Sequence, residues 1–120
     1  MRKHAPVDRS GSSRHFVFVR IVKEAFLLAS GKKHAQAARH LEVWRKTVRM
    51  AEWRNLVDLR KTYPETDLVE VGSGRRVLVF NIRRNEFRLI VAVHYNREIV
   101  YVLRFMTHAE YSKDLWKATL

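Results

Sequence analysis

The sequence predicts an α+β domain: an N-terminal strand and two or three helices packed on an antiparallel sheet, closed by a short C-terminal helix. Three observations predict it. Before Pro64, apolar residues recur three or four apart; after it they alternate with a period of two; and turn-forming clusters divide the second half into successive short segments.

Residues Met1 to Arg14 mix Arg, Lys, Ser, Gly and Pro with little apolar content and read as a flexible leader, which places a single domain over residues 15–120. From His15 to Val22 the run is β-branched and aromatic, which favours a first strand. Lys23 to Ala29 suit a short helix that Ser30-Gly31 is expected to end. Between His34 and Trp53, Ala37, Leu41, Trp44, Val48 and Ala51 form one face of an amphipathic helix, while Arg45, Lys46 and Arg49 lie largely off it. Asn55 followed by Asp58 resembles an N-cap with an acidic N3 residue, opening a short helix through Leu56 and Leu59 that Pro64 stops.

The second half then reads as strands Thr66 to Val71, Arg76 to Ile82, Glu86 to Tyr95 and Ile99 to Met106. If the last turn holds three residues, Asn96 to Glu98, then Phe87, Leu89, Val91, Val93 and Tyr95 share a face with Ile99, Tyr101, Leu103 and Phe105. Arg88 and Arg104 then meet on the other face, because opposed antiparallel residues point the same way.

The chain carries 24 Lys plus Arg against 12 Asp plus Glu, a net charge of +12. So basic a chain of 120 residues attracts polyanions, of which nucleic acid is the commonest. No cysteine is present, which excludes disulfides, thiolate nucleophiles and Cys-based zinc sites. No apolar run is long enough to span a bilayer. The glycines of Gly72-Ser73-Gly74 lack the helix and lysine of a phosphate loop, the six histidines show no metal-binding spacing, and no serine sits on an elbow motif.

What remains is a sheet face carrying Arg88, Arg104 and His94, with His108, Glu110, Tyr111 and Lys113 at the exit of the last strand. Cleaving RNA without a metal needs a group to take the 2′-hydroxyl proton, cations to neutralise the phosphorane, and a group to protonate the leaving 5′-oxygen. These residue types meet that need. Each also has an ordinary structural use: His108 in helix capping, Trp116 as a core aromatic, and Arg45, Lys46 and Arg49 as a solvated helix face.

Trp44, Ala51-Glu52-Trp53-Arg54-Asn55-Leu56, Asp58-Leu59-Arg60 and Tyr63-Pro64, followed by Val79-Phe80-Asn81-Ile82, Asn85-Glu86-Phe87-Arg88-Leu89-Ile90, Ile99-Val100-Tyr101-Val102, Thr107-His108-Ala109-Glu110-Tyr111 and Trp116, together resemble the HigB toxins over about residues 23–116. The resemblance implies a RelE-like fold and an endoribonuclease that cleaves mRNA on the ribosome, and the absence of cysteine is compatible with a reducing, cytoplasmic home. It implies no cofactor and neutralisation by a HigA antitoxin bearing a helix-turn-helix. It puts Arg88, His108 and Tyr111 at the family's motif positions, with proton transfer at His108 or Tyr111 and phosphate contacts from Arg88, Arg104 and Lys113. Arg45, Lys46, Arg49, Arg54, Arg83 and Arg84 are then expected to bind RNA. The alternatives are a non-catalytic RNA- or ribosome-binding module and a domain whose basic face serves only to hold an acidic partner.

Overall fold

Pro64 divides the molecule where the sequence pattern changes period. The computed structural model describes residues 18–120; the expected leader and the start of the first strand, His15 to Val17, lie outside them. The elements are β1 (Arg20–Val22), α1 (Glu24–Lys33), α2 (Ala35–Arg49), α3 (Leu56–Thr62), β2 (Asp67–Glu70), β3 (Arg76–Ile82), β4 (Phe87–His94), β5 (Ile99–Thr107) and α4 (His108–Ser112), with 3₁₀ turns at Tyr95–Arg97 and Leu115–Thr119. Strands β2 to β5 form the expected antiparallel meander. β1 adds to the β5 edge in parallel, so the five-stranded sheet is mixed, in the order β1-β5-β4-β3-β2.

Helix α1 does not end at Ser30-Gly31. Both residues are buried, and a Cβ on Gly31 would come within 3.3 Å of Ala38. The glycine therefore permits close approach of α1 and α2, and the helix runs on to Lys33. On α2 the stripe Ala37, Leu41, Trp44 and Val48 is buried as expected, but the helix stops at Arg49, and Ala51 and Trp53 pack on the core from an irregular segment. The Asn55 side chain accepts from the Asp58 backbone N–H at 2.9 Å and starts α3.

Two apolar clusters lie on opposite faces of the sheet. The larger joins Leu41, Trp44, Val48 and Leu59 of the helices to Phe80, Leu89, Val91, Val100 and Val102. The smaller joins Val71, Val77, Val79, Ile90 and Met106 to Trp116 of the C-terminal turn.

The β4–β5 connection differs from expectation. His94 pairs with Ile99, so the loop holds four residues, Tyr95 to Glu98, rather than three, and Glu98 closes it with φ 54°. That single-residue change turns Val100 and Val102 toward the helices in place of Tyr101 and Leu103. Leu103 then forms a bulge that restores the frame, so that Leu89 opposes Phe105, Arg88 opposes Met106, and Ile90 opposes Arg104. Arg88 and Arg104 thus share the face away from the helices, as expected, although through a longer loop and a bulge.

Candidate active site

Arg88 opposes Asn81 on β3 and Met106 on β5, at the end of the sheet where β5 leads into α4. It is 9% exposed. Its Nη1 donates to the carbonyls of Asn85 (2.9 Å) and Phe87 (3.3 Å), and its Nη2 lies 3.2 Å from His108 Nδ1. A guanidinium only donates, so Nδ1 accepts and the ring N–H of His108 is at Nε2. The guanidinium carbon also lies 5.2 Å from the centre of the Tyr111 ring, a cation–π contact. No carboxylate pairs with Arg88 among the described residues, so its charge is not cancelled by an ion pair.

Helix α4 fixes the other members. The Thr107 hydroxyl accepts from the Glu110 backbone N–H at 3.2 Å, and the Glu110 carboxylate accepts from the Thr107 backbone N–H at 2.9 Å, a reciprocal capping box. The Thr107 N–H holds the Glu110 carboxyl below its ordinary range. The His108 backbone N–H donates to the Glu86 carbonyl at 2.9 Å. The loop between β3 and β4 therefore supports both Arg88, through Asn85, and His108, through Glu86. Tyr111 stacks on Trp116 with centroids 5.3 Å apart and 20° between planes, and the Trp116 indole donates to the Tyr111 carbonyl at 3.2 Å. Burial pushes the Tyr111 phenol up, the Asp67 and Asp114 carboxylates add to this, and Arg88 opposes it. The phenol keeps its proton at neutral pH and can donate.

The other residues singled out in the sequence go elsewhere. Arg104 donates to the carbonyl of the bulged Leu103 at 2.8 Å and to the Thr119 hydroxyl at 3.2 Å, clasping the bulge to the C-terminal turn. Lys113 follows the end of α4 and lines an open cleft with Phe26, Lys33 and Phe105. Arg45 is paired with Glu24 at 3.0 Å and Glu42 at 2.7 Å, and Lys46 lies 3.8 Å from Glu42. Arg49 lies over the Phe18 ring, and Arg54 pairs with Asp58 at 3.1 Å. Arg83 pairs with Glu86, whereas Arg84 is exposed and forms no ion pair among the described residues. Arg83 and Arg84 both hold left-handed backbone, φ 52° and 61°, in the loop whose carbonyls support the cluster.

Sequence reasoning missed three neighbours: Asn81, which opposes Arg88; Glu65, whose carboxylate accepts from Asn81 Nδ2 at 3.3 Å; and Asp67, which acts on Tyr111. For Asn81 and Asp67 the alternation along β3 and β2 was the available signal, but using it required the length of each hairpin loop; Glu65 precedes β2 and carries no such signal. Among the described residues no group of three His, Asp or Glu side chains is arranged to hold a metal ion, and no helix is long and apolar enough to cross a membrane.

Helices on one face of a mixed sheet, with α4 closing its far end, define an α+β domain consistent with the RelE-like toxins. Residues 37–114 match the HigB toxin family, the RelE-like toxic component of a toxin-antitoxin system, and the chain belongs to that family. No curated protein matches the chain. Membership gives the chain a toxin's role and implies an antitoxin partner.

Proposed function

We propose that this toxin is a cytoplasmic, metal-independent endoribonuclease that cleaves mRNA on the ribosome and is silenced by a HigA-like helix-turn-helix antitoxin. The observation that carries the reading is the contact of one unpaired guanidinium, Arg88, with both His108 and Tyr111. Arg88 binds the scissile phosphate and neutralises the charge that grows on it, in a partly buried setting where such charge stabilisation is strong. His108 offers its Nε2–H to a phosphate oxygen, and Tyr111 delivers its proton to the leaving 5′-oxygen. Arg84, beside the cluster, and the remaining cations of α2 hold flanking phosphates. Arg104 and Lys113 act at the margin, since Arg104 is engaged with Leu103 and Thr119.

Inducing the chain in cells and mapping new RNA 5′ ends, with and without ribosome loading, tests this reading. Cleavage should persist in EDTA under conditions that keep ribosomes intact, and leave a 2′,3′-cyclic phosphate or a 3′-phosphate beside a 5′-hydroxyl. Ends scattered as in uninduced cells would favour a non-catalytic RNA-binding module. A 3′-hydroxyl product would refute the mechanism.

A further inference from the structure

The cluster of Arg88, His108 and Tyr111 supplies donors and no acceptor for a proton. The His108 Nδ1 lone pair is occupied by the Arg88 guanidinium, its Nε2 carries a hydrogen, and the Tyr111 phenol is pushed up by burial. Attack by a ribose 2′-hydroxyl nevertheless requires a base.

The sheet brings a carboxylate to the same row. Asp67 pairs with Val79 and Asn81 with Arg88, so extending the β2–β3 register by two residues sets Glu65 opposite Asn81, in line with Arg88. The hydrogen bond from Asn81 Nδ2 to Glu65 Oε1, 3.3 Å, agrees with that extension. Thr66, between Glu65 and Asp67, is buried and turned inward, with its hydroxyl donating to the Tyr63 carbonyl at 2.9 Å. The two flanking carboxylates are exposed. Asn81 binds one oxygen of Glu65 and leaves the other open. Two cross-strand steps of about 5 Å each separate Glu65 from Arg88, enough for the ribose and phosphate of one nucleotide. Asp67 lies one row further along, opposite Val79 rather than in line with Arg88.

We infer that Glu65, oriented by Asn81, is the general base of the cleavage reaction, an assignment that rests on the endoribonuclease reading above. The Glu65 carboxylate takes the 2′-hydroxyl proton as the 2′-oxygen bonds to phosphorus. The bond from phosphorus to the 5′-oxygen breaks, and that oxygen receives the Tyr111 proton. The products are a 2′,3′-cyclic phosphate and a 5′-hydroxyl, and water returns the Tyr111 proton and removes the one on Glu65.

The test uses the full chain on ribosome-bound mRNA carrying either the ordinary linkage or a single 5′-bridging phosphorothiolate at the cleaved position, whose sulfur leaves without a proton. Glu65→Gln should slow cleavage of the ordinary linkage by about 10²- to 10⁴-fold, and should remain slow on the phosphorothiolate. Tyr111→Phe should be slow on the first and regain most of its rate on the second. Binding of 2′-O-methyl RNA by Glu65→Gln should equal that of the wild type. Near-normal cleavage by Glu65→Gln, its rescue by the sulfur leaving group, or a matching loss of binding would each overturn the assignment while leaving the endoribonuclease reading intact. A wild-type chain that cleaves neither RNA would overturn both.

Discussion

The two faces of the sheet are built on different terms. Toward the helices the rows through Leu78 and Val91 and through Phe80 and Leu89 are apolar, and Trp44 and Phe80, each 1% exposed, meet edge to face with centroids 5.4 Å apart. Away from the helices the apolar cluster is smaller, lies under the C-terminal turn, and gives way at one end to Glu65, Asn81, Arg88 and α4. A single strand serves both: Leu89 and Val91 face one way and Arg88 the other. Stability is thereby concentrated on one side and the candidate site on the other. The contrast between Arg88 and Arg45 shows the same division. Two carboxylates cancel the charge of Arg45, whereas carbonyls and an imidazole hold Arg88 without cancelling it.

Variants on the open face should give the largest effects and leave the fold alone. Tyr111→Phe and His108→Ala are expected to slow cleavage by about 10²- to 10⁴-fold, and Arg88→Ala by about 10²- to 10³-fold or more. Arg88→Lys should not restore activity, because an ammonium cannot reproduce the guanidinium's divided contacts. Single-turnover rates measured beside melting curves separate the two faces: loss of activity with melting and antitoxin binding nearly unchanged is the expected result, and a parallel collapse of melting would show that the division is false.

The reverse pattern belongs to the helix face. Trp44→Ala should cost about 3–5 kcal/mol in denaturant unfolding, with the rate per folded molecule near normal. Smaller and sharper is the capping box of α4. Thr107→Ala should cost about 1 kcal/mol. The Glu110 carboxyl sits below its ordinary value in the fold, so its contribution is complete above about pH 4.3 and disappears as acid takes the pH down through the folded value. Melting temperatures of wild type and Glu110→Gln should therefore differ at neutral pH and converge in acid. A constant gap would remove the carboxylate from the cap.

The smallest effect concerns RNA affinity. Arg84→Glu should weaken binding and flatten its salt dependence by about one phosphate contact, whereas Arg45→Ala, which removes a charge already neutralised by Glu24 and Glu42, should change the slope less. Equal changes would show that Glu24 and Glu42 do not neutralise Arg45 toward RNA.

Much of this architecture is legible in the residues. The α2 stripe, the Asn55 cap and the meander follow from periodicity and local chemistry, and His108 and Tyr111 can be placed at the exit of the last strand. What was not legible depends on contacts distant in sequence. Gly31 looks like a helix stop until Ala38 is seen against it. The loop after His94 is one residue longer than the apolar alternation suggests, because Leu103 compensates further along. That Arg104 also holds the C-terminal turn, through Thr119, is not marked in its own strand. Glu65 precedes its strand, so no pattern within β2 marks it as part of the Arg88 row.

The bulge at Leu103 works like slack in a belt. Because one unpaired residue stands between the β4–β5 loop and the far half of β5, a change of length at the loop can be taken up there. The pairing of Arg88 with Met106, and with it the approach of α4, can then stay as it is. The register at the tip of this hairpin is therefore set separately from the pairing at the opposite end, where the candidate site lies.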